Sequence, residues 1–254
     1  IGMFYLIAML EIARPFLQTS PLRPIRWRGN LLLVIFAALL VRLIMPLGLS
    51  AFAWSLQQGN DSLLKLSALP LWVALPIGLI ILDLVIYWQH RLFHKVPILW
   101  RLHRVHHSDQ FFDVSTALRF HPLEILLSFM IKALVVYSFG ISAASIIIFE
   151  ILLNAVAMFN HGNFTLPHKL ERRLRRLLVT PNMHRIHHSV HMHEHHHNFA
   201  FNLSLWDRLF NSYLAKPKNE QAPIQIGLLA YQQGSTDNQG LINLLKMPFK
   251  KAAN

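Results

Sequence analysis

Apolar positions in this chain come in long unbroken runs, not in the two-residue alternation of a strand or the narrow stripe of a surface helix. Crossing a bilayer takes about 20 mostly apolar residues, and several runs approach that length. Residues 1–12 read as the tail of a truncated span, since the chain opens on Ile1. Residues 31–49 form a second run, with Arg42 inside it, and residues 70–89 a third, with Asp83 inside it. Residues 122–160 are apolar for too long to be one helix. Gly140 divides them into 123–139 and 141–160, which predicts a helical hairpin. The tail 216–254 is polar, with a short amphipathic stretch near 240–249 of the kind that lies on a membrane surface. No internal repeat is evident. The pattern predicts an all-α, multi-pass membrane protein with about four to five transmembrane helices.

Composition supports this and bears on two other classes. Hydrophobic residues make up 54% of the 254 residues and charged residues only 14%, against about 25% charged in a soluble domain. Disorder is excluded, and the composition argues against an ordinary soluble globule. The formal charge of +12 has two readings, nucleic acid or an anionic membrane surface, and the apolar runs favour the membrane over nucleic acid. Lys and Arg concentrate in 14–28, 90–121 and beyond 160, whereas in 50–69 Lys65 is offset by Asp61. The first three segments are therefore expected on the cytoplasmic side and 50–69 on the other. The chain has no cysteine, so disulfides, thiolate metal sites and a cysteine nucleophile are excluded.

The 16 histidines change the picture most. His90 and His94 form HxxxH. His103, His106 and His107 form HxxHH, and His184, His187 and His188 form a second HxxHH. His161 sits in NHGN at the end of the hairpin. Positions i, i+3 and i+4 share one helix face, so each HxxHH presents three imidazoles to one region and HxxxH presents two. Thr180 and Pro181 suit N-cap and first-turn positions of a helix carrying the second HxxHH. Every cluster falls on the side that Lys and Arg mark as cytoplasmic. Nine imidazoles exceed the needs of one tetrahedral zinc and suit two metal ions. Imidazole alone fits zinc, copper, iron or nickel.

The stretches DLVIYWQHRLFH, LWRLHRVHHS, TALRFHPLE, FNHGN, VTPNMHRIHHS and NFAFNLSLWDRLF resemble the fatty acid hydroxylase / sterol desaturase superfamily of membrane di-iron oxygenases. The resemblance runs from about Asp83 to Tyr213. It implies an all-α fold with a cytosolic, histidine-rich cap on transmembrane helices, arranged as an N-terminal transmembrane region (1–82), a catalytic domain (83–215) and a cytoplasmic tail (216–254). It implies two iron ions, with zinc as a substitute in purified protein, held by His90, His94, His103, His106, His107, His184, His187 and His188, with His161 as the ninth ligand. It also implies activation of O₂ to hydroxylate or desaturate a C–H bond of a lipid. No GxGxxG, P-loop or fused cytochrome b5 motif is present, so electrons are expected from a separate donor protein. Such a C–H bond is not acidic, and a metal centre supplies what a side-chain base does not.

Other residues carry two readings each. Asp83 shares a helix face with Tyr87, His90 and His94, and an ionisable residue inside a span is a functional candidate. It is expected to accept an N–H from a metal-bound histidine, or else to be a satisfied polar residue near the interface. His121 reads as a further ligand or as a helix-start residue. Glu194, Asn198, Trp206 and Asp207 are expected to support the ligand helices. The run His191, His193, His195, His196 and His197 contains a formal HExxH with Glu194 as base, which would make a zinc hydrolase. A solvated loop is the alternative, with His168 likewise at the surface. A non-enzymatic, histidine-rich metal carrier is the third reading of the chain. Lys132 and Glu150, on opposite arms of the hairpin, are placed to pair or to face a polar cavity.

Overall fold

In the computed structural model, which describes residues 2–220, 223–232 and 238–251, the chain is helical throughout, with only isolated bridges outside the helices. The long helices are α1 (Gly2–Ala13), α2 (Arg23–Ile44), α3 (Gly48–Gly59), α4 (Leu71–Lys95), α5 (Pro97–His107), α6 (Pro122–Phe139) and α7 (Ala143–Asn160). Short helices follow: α8 (His168–Leu174), α9 (Pro181–His187), α10 (Met192–His195), α11 (Leu205–Leu209) and α12 (Leu241–Lys246). Four stretches are long and apolar enough to cross a membrane: Arg23–Gly59, Leu71–Lys95, Pro122–Phe139 and Ala143–Asn160. The first comprises α2 and α3, and α1 is shorter than a span.

The expected run 31–49 is revised at both ends. Helix α2 starts at Arg23 and stops at Ile44, where Pro46 and Gly48 break the ladder, and a new helix occupies 48–59. Helix α4 continues past residue 89 to Lys95 because no breaker intervenes before Pro97, so His90 and His94 ride on the same rod as the apolar span. The hairpin forms as expected. Gly140 takes φ +65, a left-handed turn that suits glycine, and Leu64 O lies where a Cβ would stand. Ser142 caps α7 by accepting from Ser145 N at 3.1 Å.

Helices in lipid gain little from apolar burial and rely on close packing. Gly78 of α4 provides it, since a Cβ there would stand 2.9 Å from Ser145 Oγ on α7. Leu49, Ala53, Leu82, Ile86, Val136, Ile146 and Phe149 fill the space among α3, α4, α6 and α7. One end of this bundle is closed by the Gly140 turn against residues 63–67. The histidines occupy the other end.

That end is stitched by buried arginines. Arg26 of α2 binds Asp109 at 2.8 Å and also Asp113. Arg119 donates to Val105 O, Asn30 Oδ1 and Ser108 Oγ. Part of the Lys/Arg pattern that marks topology is therefore structural. The stretch near 240–249 is amphipathic: Leu244 and Met247 are buried with Leu33 of α2 and Val105 of α5, while Ile242 and Phe249 are exposed. The rest of the tail beyond residue 251, and residues 233–237, lie outside the described residues.

Candidate metal centre

Three helices and the end of a fourth bring the nine expected ligands together. His90 and His94 come from the last turns of α4. His103, His106 and His107 come from α5, His184 and His187 from α9, with His188 at its C-cap and His161 at the C-cap of α7. Helix α9 starts as expected, with Thr180 Oγ1 accepting from Met183 N and Pro181 in the first turn. None of the nine is more than 6% exposed. They sort into two groups: His90, His94, His103, His107 and His187, and His106, His161, His184 and His188, with the ligand atoms in each group within 4.8 Å of one another. Helices α5 and α9 each contribute to both groups.

The ring orientations fit a cation. His90 Nδ1 donates to Phe199 O at 2.6 Å, and His103 Nδ1 donates to Glu124 Oε1 at 2.7 Å. Both Nε2 atoms are then bare lone pairs, and they face each other at 3.1 Å. Two acceptors at that distance repel unless a positive charge lies between or beside them. In the second group, His161 Nδ1 is fixed by Ala157 O at 2.7 Å. Its Nε2 stands 3.1 Å from His106 Nε2 and 3.0 Å from His184 Nε2. His187 Nδ1 donates to His197 O at 2.8 Å, leaving Nε2 buried and without a hydrogen-bond partner. Both ring nitrogens of His94 and of His107 are likewise buried and unpartnered. Buried polar atoms are normally satisfied, and metal ions at the two groups would satisfy one nitrogen of each of these rings.

Burial also sets the charge. It pushes His103 and His161 down to about 3, and His106, His107, His184, His187 and His188 well below the ordinary imidazole value. Neutral imidazole is the form that binds metal.

The supporting residues differ from expectation. Asp83 touches no histidine among the described residues. It accepts from Asn202 Nδ2 (2.9 Å), Leu203 N (3.2 Å) and Trp206 Nε1 (2.8 Å), so it pins the 202–206 segment to α4. The carboxylate that does orient a histidine is Glu124, in the first turn of α6. The rule that singles out Asp83, an ionisable group at an apolar span, points equally to Glu124. Asn198, at φ 56, donates to Met183 O and Leu214 O and accepts from Leu214 N, tying α9 to the segment after α11. Asp207 accepts from Phe199 N, Ala200 N and Ser212 Oγ, which holds the Phe199 carbonyl that fixes His90. Burial raises Asp207 to about 6.

His121 belongs to neither group. Its Nδ1 accepts from Leu123 N as the cap of α6 and its Nε2 meets Leu245 O at 3.2 Å, so it is the helix-start residue. The HExxH reading fails geometrically. Helix α10 is four residues long, Glu194 Oε1 is occupied by Lys218 N at 2.7 Å, and neither His193 nor His197 belongs to a ligand group among the described residues. The turn is not simply solvated either: His195 is 2% exposed and its ring lies 4.7 Å from that of His94 and 4.5 Å from that of His107.

A cavity of about 590 Å³ opens from the first histidine group into the apolar bundle. His90, His103, Phe93 and Glu124 line one end, and Phe129, Ile146, Lys132 and Glu150 line the remainder. Lys132 and Glu150 form an ion pair across the hairpin, as their positions suggest.

Comparison with known proteins agrees with this architecture. The chain is 27% identical over 183 residues to the ornithine lipid hydroxylase OlsE of Rhizobium tropici, covering 72% of this chain and 52% of that protein. It is 28% identical over 139 residues to the alkylglycerol monooxygenase of Homo sapiens, covering 53% of this chain and 29% of that protein. The Danio rerio alkylglycerol monooxygenase is 27% identical over 143 residues, covering 52% and 28%. The chain thus spans about half the length of the first relative and under a third of the other two. No solved structure matches it. Residues 75–212, more than half of the chain and the part that carries all nine clustered histidines, match the family model described as "Fatty acid hydroxylase", and the chain belongs to that family.

Proposed function

We propose that this protein is an O₂-dependent lipid hydroxylase with two iron ions in the two histidine groups. The observation that carries the reading is the pair of buried imidazole groups at the mouth of an apolar cavity. Iron at such a centre, when bound, supplies the O₂ chemistry that an unactivated C–H bond requires. His90, His94, His103, His107 and His187 hold one ion, and His106, His161, His184 and His188 the other. The names of the relatives, a hydroxylase and monooxygenases, favour hydroxylation over desaturation.

The chain's own residues bind and orient. Glu124 and the Phe199 carbonyl hold the Nδ1 protons of His103 and His90, so both rings offer Nε2 to the ion. The cavity walls, Phe93, Phe129 and Ile146, accept an alkyl chain and keep water from the reacting carbon. Exposed Ile147 and Ile151 of α7 also line the cavity, which gives a lipid access from the bilayer. Asp83, Glu194 and Asn198 are positioning residues that hold the loops around α9. The histidine end faces the cytoplasm, by the Lys/Arg distribution, and receives electrons there from a separate donor protein.

The test is Mössbauer spectroscopy and metal analysis of protein purified from iron-57-grown cells, followed by lipid oxidation under O₂ with a chemical or enzymatic reductant. About two coupled irons per chain and a hydroxylated lipid product are expected. Two zinc ions that cannot be exchanged for iron, with no O₂ uptake after Fe(II) reconstitution, would overturn the reading.

A further inference from the structure

The nine clustered histidines are closed off from water, yet a metal ion must reach them. The cavity is a poor route, because a hydrated cation loses its water shell along walls that are mostly apolar. The turn 191–197 offers further imidazoles beside the first group. His191 and His193 are exposed and their rings lie 5.8 Å apart. His196, half-buried, stands 5.5 Å from His195 and 6.0 Å from His94. His195 is buried, packed on Trp100 at 4.8 Å, and lies against both His94 and His107 of the first group. It is not a member of either ligand group.

We infer that the turn 191–197 is a metal-loading relay. Divalent iron is collected from water on this turn by the exposed His191 and His193, neighbours of His196 in sequence; His196 passes it to His195, which hands it to His94 and His107. Each transfer exchanges one imidazole ligand for another at the ion. Glu194, between His193 and His195 in sequence, is held by Lys218 N and fixes the turn. The inference rests on the metal-centre part of the proposed function and not on the substrate or the reaction.

The experiment follows Co(II) uptake by the chelated full chain in nanodiscs, by stopped-flow absorption, with total metal measured afterwards. The variant His191→Asn/His193→Asn/His196→Asn changes exposed and half-buried positions only. It should load on the order of tenfold more slowly, which is about 1.4 kcal/mol on the barrier, and reach the wild-type metal content. His195→Gln should slow loading similarly. Exposed His168→Asn, outside the turn, should load at the wild-type rate. Wild-type loading by the triple variant would overturn the relay. So would a His195→Gln protein that loads at the normal rate but holds less metal, since His195 would then be a resident ligand. A protein that loads through the turn yet oxidises no lipid would overturn the hydroxylase reading alone.

Discussion

Glu124 Oε1 and His103 Nδ1 meet at 2.7 Å across 21 residues of chain, where α6 leaves the histidine layer. The carboxylate fixes which nitrogen of His103 carries the proton and so which one is free for metal. Partners of this kind are worth about 10–100-fold in metal affinity. We expect Glu124→Ala to lose affinity in that range and Glu124→Gln, which still offers an acceptor oxygen, to lose less. Competitive titration against a chelator checks both.

His121 and His103 differ by only 18 positions and are expected to behave oppositely. His121 caps a helix, so His121→Ala should keep full metal content and lose about 0.5–2 kcal/mol of stability. His103→Ala and His184→Ala should lose metal. Equal metal loss in His121→Ala would mean that the cap is also a ligand.

Asp83 satisfies three donors from the 202–206 segment. Asp83→Ala leaves them buried and unpaired, at about 1–3 kcal/mol for each group. Trp206→Phe removes a single hydrogen bond. Thermal unfolding should therefore rank wild type above Trp206→Phe and Trp206→Phe above Asp83→Ala. Metal loss in Asp83→Ala should follow from loosening of the segment that carries Phe199 O, not from a missing ligand.

Lys132 and Glu150 line the cavity and belong to neither histidine group. Removing one partner leaves the other uncompensated in a poorly solvated place. Lys132→Met and Glu150→Leu should each destabilise the protein, while the double variant recovers much of the loss. The double variant should keep its metal and shift the chain-length preference for lipid, which product analysis with a substrate series reads directly.

Burial puts His103 and His161 near 3, against 6.5 for the free side chain. Between those values the unfolded chain takes up protons that the folded chain does not. Stability therefore rises with pH across this window and is lost as pH falls through 6.5 toward 3. Protons and metal compete for the same lone pairs. We expect the melting midpoint of chelated protein to fall steeply below about pH 6.5, and the metal-loaded protein to resist to lower pH. A midpoint that stays flat down to pH ~4 would argue against neutral, buried imidazoles.

The parts of this site that were legible in the sequence are the local ones. The three histidines of each HxxHH share a face because helical periodicity acts over one turn, and the spans follow from runs of apolar residues. The rest depends on contacts between distant segments. Asp83 finds its partners 119 to 123 residues away, and nothing in its own neighbourhood says that they are Asn202, Leu203 and Trp206 in place of a histidine. His195 looks like its exposed neighbours until the turn folds it against His94 and His107. Pro46 and Gly48 do carry a local signal for the break after α2, but hydropathy averaged over a window passes through them.

Helices α5 and α9 each serve both histidine groups, with neighbouring residues such as His106 and His107, or His187 and His188, turned to different groups. Neither helix can shift to release one ion without displacing ligands of the other. Occupancy should accordingly be all-or-none: the half-filled protein is the least favoured species, and a titration should pass from empty to full with little of it in between.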